Sequence, residues 1–267
     1  MNYDTLIIDA PWMSKRSYEV PYDLTSTWGE RTTMIHIFFK TYFHLKQKFN
    51  PSNIIFTWES NGSWRRDLLS TYKPPNPKSK TFLKQLTDIQ TILYLLNHEQ
   101  YHSMTNEADD VIATLASILN GNKLIYTIDK DIMQTINDYT HIYNGKTIIT
   151  ESDVIKKFNV KPSQIPDFLA IKGDTSDNIN GIKGYGDKKT GDILNTYQSI
   201  ESIPNDHELH QHLSTLKLNK KLTTLNNQCS LHPLKFNDST TINQILSRYE
   251  LDNLKAKFNK KAINEFY

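Results

Sequence analysis

The 267-residue sequence predicts an α/β fold in which a largely parallel central sheet is flanked by helices and followed by a helical C-terminal region. In the first half, short apolar runs alternate with segments of helical periodicity, as in parallel sheets whose strands are joined by crossover helices. After about Asp153 the strand signals fade, and short helical stretches with Gly- or Pro-marked turns follow. We therefore predict an α/β unit at residues 1–158 and a helical region at residues 159–267.

Three apolar runs are predicted to be buried strands. They are residues 4–9 (DTLIID), 53–57 (NIIFT) and 123–127 (KLIYT). Predicted helices at 33–46 and 83–96 lie between them. Ligands of such sheets collect at the carboxyl ends of the strands, so the residues that directly follow these runs are the first candidates for a functional site.

The composition and motifs exclude several classes of protein. Cys229 is the single cysteine, so the chain has no intramolecular disulfide or paired-cysteine zinc site, and an inert thiol is its simplest interpretation. A G-x-S-x-G motif is also absent. No apolar run approaches the roughly 18 residues of a membrane span, and the start lacks the features of a signal peptide. We therefore expect a cytoplasmic protein without a membrane partner, and the net charge of +2 is too small to identify a nucleic-acid binder.

The strongest local signal is a group of acids at the start of a predicted helix. Glu107, Asp109 and Asp110 precede VIATLASIL, whose apolar residues mark one helical face. The helix dipole favours acids at this end, so each of them alone has an ordinary structural explanation. Glu107 and Asp110 share a face, however, and their repulsion favours a neutralising cation.

Five further acids extend this pattern. Asp9 ends the first predicted strand, Asp129 and Asp131 directly follow the third, and Asp174 and Asp177 share a face if their segment is helical. Singly, such acids would be caps, turn formers or solvated charges. Collected at one sheet edge, they predict sites for Mg²⁺, which prefers oxygen ligands and keeps several waters. Two such ions support in-line phosphoryl displacement, which is the chemistry of nucleases and phosphatases.

A glycine-rich segment at residues 180–191 (NGIKGYGDKKTG) is a predicted helix-to-helix turn followed by lysines. Such a loop can present amides to phosphate and carbonyls to a monovalent cation. A tight turn is the ordinary interpretation of the glycines alone. The position directly after Asp177 favours sequence-independent binding of a duplex backbone.

A second stretch interleaves cations with aromatic side chains after the second predicted strand. Its members are Trp64, Arg65, Arg66, Tyr72, Lys73, Lys78, Lys80 and Lys84. Two interpretations stay open: a solvated helical face, or a channel for single-stranded nucleic acid in which Tyr72 or Trp64 stacks on bases.

Taken in order, these segments resemble the 5′-nuclease family, which includes the 5′-nuclease domain of bacterial DNA polymerase I, stand-alone phage exonucleases and, more distantly, the flap endonucleases. The motifs are IIDA with Arg16, GSWRR with the following YK, EADD, IDKD, GDTSDN and GIKGYGDKK, and they span roughly residues 4–195. The resemblance implies a PIN-like, resolvase-like fold. It also implies a helical arch at about residues 72–96 and a helix-hairpin-helix at about residues 178–195.

The resemblance implies two Mg²⁺ ions, for which Mn²⁺ would substitute, held by two groups of acids: Asp9, Glu107, Asp109 and Asp110, and Asp129, Asp131, Asp174 and Asp177. Glu59 stands where family members usually have Asp, and its longer side chain suits an outer role. Lys73 would contact the scissile phosphate and stabilise developing charge. The expected catalytic residues are Lys73, Asp9, Asp110 and Asp129.

Further contacts to DNA are implied in the same way. Arg16, Arg65 and Arg66 would bind phosphates, together with Tyr72. The usual arginine after the YK pair is missing, and Lys78 or Lys80 would supply its charge without its bidentate geometry. The helix-hairpin-helix would grip the downstream duplex with a K⁺ ion, through Gly181, Lys183, Gly184, Gly186, Lys188 and Lys189.

The expected function is that of a 5′-3′ exonuclease and 5′-flap endonuclease in DNA replication or repair. The expected substrate is branched or 5′-ended DNA with a single-strand/double-strand junction, and RNA in RNA–DNA hybrids is a further candidate. No polymerase region follows, so the chain resembles the stand-alone phage type, from the cytoplasm of a bacterium or a phage-infected cell. We expect a monomer, with a replicative polymerase or a single-strand-binding protein as candidate partners.

Two other functions compete with this one. A PIN-type RNase shares a carboxylate-rich α/β site but has fewer acids and no helix-hairpin-helix, so residues 181–191 argue against it. A catalytically silent DNA-junction binder would keep the fold without cutting. The retained acids argue against it, because unneutralised like charges destabilise a fold without helping to bind phosphate.

Overall fold

The computed structural model describes residues 2–60, 62–74, 77–236 and 240–264. Nine short strands lie in this part of the chain. They are β1 (Thr5–Asp9), β2 (Asn53–Thr57), β3 (Glu99–His102), β4 (Lys123–Tyr126), β5 (Thr140–Tyr143), β6 (Ile148–Ile149), β7 (Gly173–Asp174), β8 (Ile179–Asn180) and β9 (His232–Pro233). Seven form one sheet in the order β6-β5-β4-β1-β2-β3-β9, and β7 pairs with β8.

The five inner strands of the sheet run parallel to one another. β1 pairs with β2 and β4, and β3 and β5 continue the parallel order on either side. The edge strands β6 and β9 pair antiparallel. Because the inner strands share a direction, the residues that follow them meet at one edge of the sheet. The predicted α/β class, with a largely parallel sheet, is confirmed.

Helices cover both faces of the sheet and form most of the second half of the chain. They are α1 (Ala10–Tyr18), α2 (Thr33–Phe49), α3 (Arg65–Leu68), α4 (Lys80–Leu95), α5 (Ala108–Ile118), α6 (Glu151–Phe158), α7 (Ile165–Lys172), α8 (Asp187–Tyr197), α9 (Leu213–Thr223), α10 (Ile242–Arg248) and α11 (Asp252–Asn264). The predicted helical C-terminal region is thereby confirmed.

Two hydrophobic cores lie on opposite faces of the sheet. Side chains alternate along a strand, so Leu6 and Ile8 of β1 join one core and Ile7 joins the other. The first core lies against α2 and α4, and the second lies against α5 and α7. Strands buried on both faces read as continuous apolar runs, which is why the sequence reveals β1, β2 and β4.

The sequence did not predict the strands β3 and β5. The residues of β3 (EQYH) are mostly polar and only partly buried, and those of β5 (THIY) include a Thr and a His. Neither segment has the apolar run that marks a buried strand. Both are strands because their backbones pair with those of β2 and β4.

Residues from His232 onward pack against the first core and its sheet. Strand β9 pairs with β3, and Ile245, Leu246 and Tyr249 are buried among side chains of α2 and α4. The Tyr249 hydroxyl donates a hydrogen bond to Asp88 of α4. The division at residues 158 and 159 stays a prediction, and residues from His232 onward pack with the sheet of the first part.

The predicted arch at residues 72–96 contains α4, whose inner face belongs to the first core. Phe82, Ile89, Ile92 and Leu93 are buried there. Pro75 and Asn76 of this segment lie outside the described residues. Passage of a strand through an arch stays a prediction. Across the described residues, no helix is both long and apolar enough to cross a membrane.

Candidate metal centre

Asp9 lies at the end of β1 and anchors the first group of acids. Its carboxylate accepts a hydrogen bond from the Trp12 backbone N–H (3.1 Å) and another from the Thr127 hydroxyl (2.7 Å). Only 4% of the residue is exposed. These bonds hold the Asp9 carboxylate between α1 and the end of β4. Because β1 and β4 are parallel neighbours, Asp9 and Thr127 lie at the same edge of the sheet.

Asp109, Asp129 and Glu59 lie close to Asp9. The charges of these acids affect one another's pKa values. Burial, and then the charge of Asp129, raises the pKa of Asp9 to about 6. Burial and the same charge raise the pKa of Asp109. Desolvation at the crowded site raises the pKa of Glu59 to about 7, although the residue keeps exposed surface. Burial is the largest cause of these raised pKa values, and the charges of neighbouring acids add to it.

A second group of acids is formed by Asp131, Asp174 and Asp177. One carboxylate oxygen of each lies within 4.8 Å of those of the other two. Asp131 Oδ1 is buried and has no hydrogen-bond partner in the described part of the chain. Burial and then the charges of Asp129, Asp174 and Asp177 raise the pKa of Asp131. A buried oxygen without a partner, among oxygen-only donors, fits a hard cation such as Mg²⁺.

Lys130 is bonded to this second group. Its Nζ lies 2.9 Å from Asp174 Oδ1, and the Ser176 backbone N–H also donates to that oxygen (2.9 Å). Although burial opposes the effect, the hydrogen bonds from Ser176 and Lys130 lower the pKa of Asp174. Sequence reasoning did not single out Lys130, although its place between Asp129 and Asp131 could have drawn attention to it.

Lys73 lies between the two groups of acids. Its backbone N–H donates to the Asp177 carbonyl oxygen (3.1 Å), and its Nζ lies 3.4 Å from Glu107 Oε2. Although burial opposes the effect, Asp109, Glu107 and other nearby carboxylates raise the pKa of Lys73. Lys73 also has a φ of +44°, which L-residues adopt rarely. A strained backbone that presents an ammonium to a group of acids is typical of a functional position.

Tyr72 connects the two groups from inside the protein. Its hydroxyl lies 3.0 Å from Glu107 Oε2 and 2.9 Å from Asp177 Oδ2, and shares its hydrogen between them. The residue is only 2% exposed. In this structure the ring has no free face for a base, so the predicted stacking on bases does not fit. The sequence showed an aromatic residue in a basic stretch and gave no sign of its burial.

Arg65 and Asp110 form a buried ion pair. Arg65 donates from Nη1 to Asp110 Oδ2 (2.7 Å) and from Nη2 to Oδ1 (2.8 Å), and its Nε donates to the Leu222 carbonyl (2.7 Å). Arg65 is 1% exposed and Asp110 is 0% exposed. The predicted phosphate contact of Arg65 and the predicted metal and catalytic roles of Asp110 do not fit this geometry, because each group already neutralises the other.

The carboxylate of Glu107 lies beside Lys73, with Oε2 3.4 Å from Lys73 Nζ. It begins α5, where its side chain and that of Asp110 complete a reciprocal capping arrangement. Glu59 reaches the same helix end, since its Oε2 accepts from the Ala108 backbone N–H at 3.5 Å. Both acids therefore lie beside Lys73. Their predicted service to a metal ion stays a prediction.

The remaining predicted phosphate contacts lie outside this centre. Arg16, Arg66, Lys78 and Lys80 are exposed. Arg16 Nη1 donates to the Tyr126 hydroxyl at the end of β4 (3.0 Å). Their positions are compatible with an incoming polyanion, and contact with DNA stays a prediction for all four.

The glycine-rich segment forms the turn between α7 and α8. A Cβ on Gly181 would lie 1.9 Å from the Lys172 carbonyl oxygen, so the close approach of these two backbones requires glycine. Gly184 has a φ of +88°, and Gly186 caps α8. Lys183 and Lys188 are exposed, whereas Lys189 is paired with Glu208 (2.8 Å). The turn joins two helices, and its function as a helix-hairpin-helix that binds DNA stays a prediction.

Two family models together cover most of the chain. One, described as "5′-3′ exonuclease, N-terminal resolvase-like domain", matches residues 4–159, and one described as "5′-3′ exonuclease, C-terminal SAM fold" matches residues 160–244. A 5′-3′ exonuclease of Mycoplasmopsis pulmonis is 32% identical over 98% of this chain and 96% of its own length. A 5′-3′ exonuclease of Aquifex aeolicus is 32% identical over 95% of this chain and 94% of its own length.

Two further relatives extend the comparison. The flap endonuclease Xni of Shewanella pealeana is 34% identical over 58% of this chain and 63% of its own length. Among solved structures, the phage T5 flap endonuclease, described as a pseudo-enzyme-product complex with DNA and metal ions, has a TM-score of 0.68 at 18% identity. That match covers 83% of this chain and 89% of the phage protein, and shows the same fold. The chain belongs to the 5′-3′ exonuclease family.

Proposed function

We propose that this chain is a magnesium-dependent, structure-specific 5′-nuclease that cuts DNA as a 5′-3′ exonuclease and as a 5′-flap endonuclease. The observation that carries the proposal is the pair of carboxylate groups on either side of Lys73, at the carboxyl edge of a parallel sheet. Family membership and the full-length match to two bacterial 5′-3′ exonucleases support it.

The donor set determines which cation fits. Asp131, Asp174 and Asp177 would hold one ion, and Asp9, Asp109 and Asp129 would hold a second with support from Glu59 and Glu107. Oxygen-only donors favour Mg²⁺, with Mn²⁺ as a substitute. When bound, such ions activate a water and stabilise the leaving oxygen of a phosphodiester.

The protein's own groups orient the reaction. Thr127 fixes the Asp9 carboxylate, and Tyr72 fixes Glu107 relative to Asp177. Lys73 is held by those carboxylates before substrate binds. Once their charge is neutralised, its ammonium is free to contact the scissile phosphate and stabilise the charge that develops there.

Exposed cations around the site would bind the DNA backbone. Arg16, Arg66, Lys78 and Lys80 are exposed, Lys183 lies on the turn between α7 and α8, where a K⁺ ion would also bind, and Lys188 lies in the first turn of α8. Phosphate contacts of this kind do not depend on sequence. Specificity would then come from the shape of a junction between single-stranded and double-stranded DNA.

The bacterial relatives support part of the wider setting that we propose. We place the protein in replication or repair in the cytoplasm, as a monomer. RNA in RNA–DNA hybrids is a second substrate to test, and a replicative polymerase or a single-strand-binding protein is the partner to test.

The proposal is tested with an end-labelled 5′-flap duplex in Mg²⁺ and in EDTA. The wild type is compared with Asp177→Asn and with Asp206→Asn, which removes a charge from an exposed acid outside the site. Cleavage near the junction that needs Mg²⁺, is lost in Asp177→Asn and persists in Asp206→Asn supports the proposal. Tight binding without cleavage would favour a silent junction binder, and cleavage of RNA alone would favour an RNase.

A further inference from the structure

A cavity of about 320 Å³ lies outside the carboxylate centre, between α1, α2 and the ends of β4 and β5. The residues that matter for its chemistry are Arg16, Lys40, His44, Tyr126, Tyr143 and Gly145. Arg16, which the proposed function assigns to phosphates of DNA, lines this cavity, whereas the other residues named here have no role in the mechanism proposed above. Its wall combines positive charge with aromatic hydroxyl groups.

The positive charge comes from side chains of α1 and α2. Lys40 and His44 of α2 are four residues apart and share a helical face, and Lys48 continues that face. Lys48 Nζ donates to the Tyr143 hydroxyl (2.7 Å), and Arg16 of α1 also lines the cavity. Within the described residues, none of these four side chains forms an ion pair with a carboxylate. Arg16, Lys40 and Lys48 therefore place positive charge without a carboxylate partner at the cavity.

The floor of the cavity is ordered by hydrogen bonds. The rings of Tyr126 and Tyr143 stack at 5.9 Å, and their hydroxyl groups accept hydrogen bonds from Arg16 (3.0 Å) and Lys48 (2.7 Å). The Tyr143 hydroxyl itself donates to the Gly145 carbonyl oxygen (2.9 Å). Gly145 has a φ of +93°, and a Cβ there would lie 3.0 Å from Arg16 Nη1. The turn thus leaves room for the guanidinium at the edge of the cavity.

We propose that this cavity binds a phosphate group of a nucleotide. Guanidinium and ammonium groups without carboxylate partners favour an anion, and a planar guanidinium is suited to phosphate oxygens. A single ordered water occupies about 30 Å³, and the volume of the cavity is roughly ten times larger. A phosphate ester with part of its sugar therefore fits. The choice of a nucleotide rests on the proposed nuclease function.

The cavity is close enough to the carboxylate centre to serve the same strand. Tyr126 directly precedes Thr127, whose hydroxyl bonds Asp9. Arg16 follows Asp9 by seven residues along α1, which is roughly 10 Å at the rise of an α-helix. The phosphate could belong to the backbone of bound DNA or to a free 5′-mononucleotide, and the two sources share this chemistry.

The test compares the double variant Lys40→Gln/His44→Gln with Lys15→Gln, which removes a positive charge from α1 outside the cavity. All three side chains are exposed, so the fold should persist, and thermal unfolding checks that it does. Binding of thymidine 5′-monophosphate, of thymidine and of a 5′-flap duplex is measured by calorimetry in EDTA. The double variant should bind at least one phosphate-bearing probe about tenfold more weakly, since charged hydrogen bonds are lost, and Lys15→Gln should match the wild type.

The two probes identify the source of the phosphate. Weaker binding of the mononucleotide, with no binding of thymidine, shows a site for free nucleotides. Weaker binding of the flap duplex alone shows a subsite for the DNA backbone. Equal affinities of all three proteins for both phosphate-bearing probes would overturn the inference. Cleavage of the flap by the wild type in Mg²⁺ is scored separately, so failure of the nuclease proposal and failure of this site give different results.

Discussion

The pairing of Arg65 with Asp110 shows how a single side chain acquires its role from burial. Arg65→Ala would leave the Asp110 carboxylate buried without its cation. We expect a loss of about 3–5 kcal/mol in the free energy of unfolding, which urea denaturation measures. Arg66→Ala, at the exposed neighbouring position, should cost within about 0.5 kcal/mol. Equal losses in the two variants would contradict the assignment of Arg65 to structural support.

The raised pKa values of Asp9 and Glu59 predict how pH acts on the metal-free protein. Folding raises these values to about 6 and about 7, so the folded state holds protons that the unfolded state has released. The stability that these groups contribute is therefore present at low pH and is lost as pH rises through that range. In EDTA, the advantage of the wild type over Glu59→Gln in thermal unfolding should shrink between about pH 5 and about pH 8.

Bound cations supply the control for this prediction. With excess Mg²⁺, the charged carboxylates are compensated, so the wild type should gain stability at the higher pH. A difference between the wild type and Glu59→Gln that stays constant over this range in EDTA would show that folding does not raise the pKa of Glu59, and a wild-type advantage that grows with pH would show that folding lowers it.

Residue types were predictable from the sequence, but their pairing was not. The acids after the strands could be found because each follows an apolar run or begins a helix. Arg65 and Arg66 are adjacent in sequence, and only the packing of α3 against α9 decides which of them is buried. Tyr72 was one of two candidates for stacking on bases in one of two open interpretations, whereas the fold places its hydroxyl between Glu107 and Asp177.

At the scale of elements, α4 provides a test of how the predicted arch is anchored. Ile92 is fully buried in the first core, whereas Leu83 on the same helix is 49% exposed. Ile92→Ala should lower the free energy of unfolding by about 2–5 kcal/mol, and Leu83→Ala should change it little. Chemical denaturation compares the two. Similar small effects would show that α4 is not held against the core.

The elements that the sequence revealed are those whose local pattern agrees with their environment. β1, β2 and β4 are apolar because both faces are buried, and α5 is amphipathic with acids at its start. β3 and β5 depend on neighbours for their backbone hydrogen bonds, and a local pattern cannot report those neighbours. The same limit hid the return of β9 to the first sheet.

At the scale of the whole molecule, the parallel sheet brings together acids that are distant in sequence. Asp9 and Asp177 are separated by most of the described chain, yet Lys73 lies close to both groups of acids. The site therefore exists only when the α/β part and the turn before α8 are folded against each other. The sequence could predict the edge where the acids meet, but the placement of Lys73 and Lys130 among them needed the three-dimensional structure.

The central claim is that Asp131, Asp174 and Asp177 hold a divalent cation that the reaction needs. The most direct test is the Mg²⁺ dependence of single-turnover cleavage of a 5′-flap duplex by the wild type, Asp131→Asn and the exposed control Asp206→Asn. We predict that Asp131→Asn needs at least about tenfold more Mg²⁺ for half-maximal cleavage, because it replaces a buried carboxylate whose Oδ1 has no hydrogen-bond partner among the described residues. An unchanged Mg²⁺ dependence in Asp131→Asn would contradict the account.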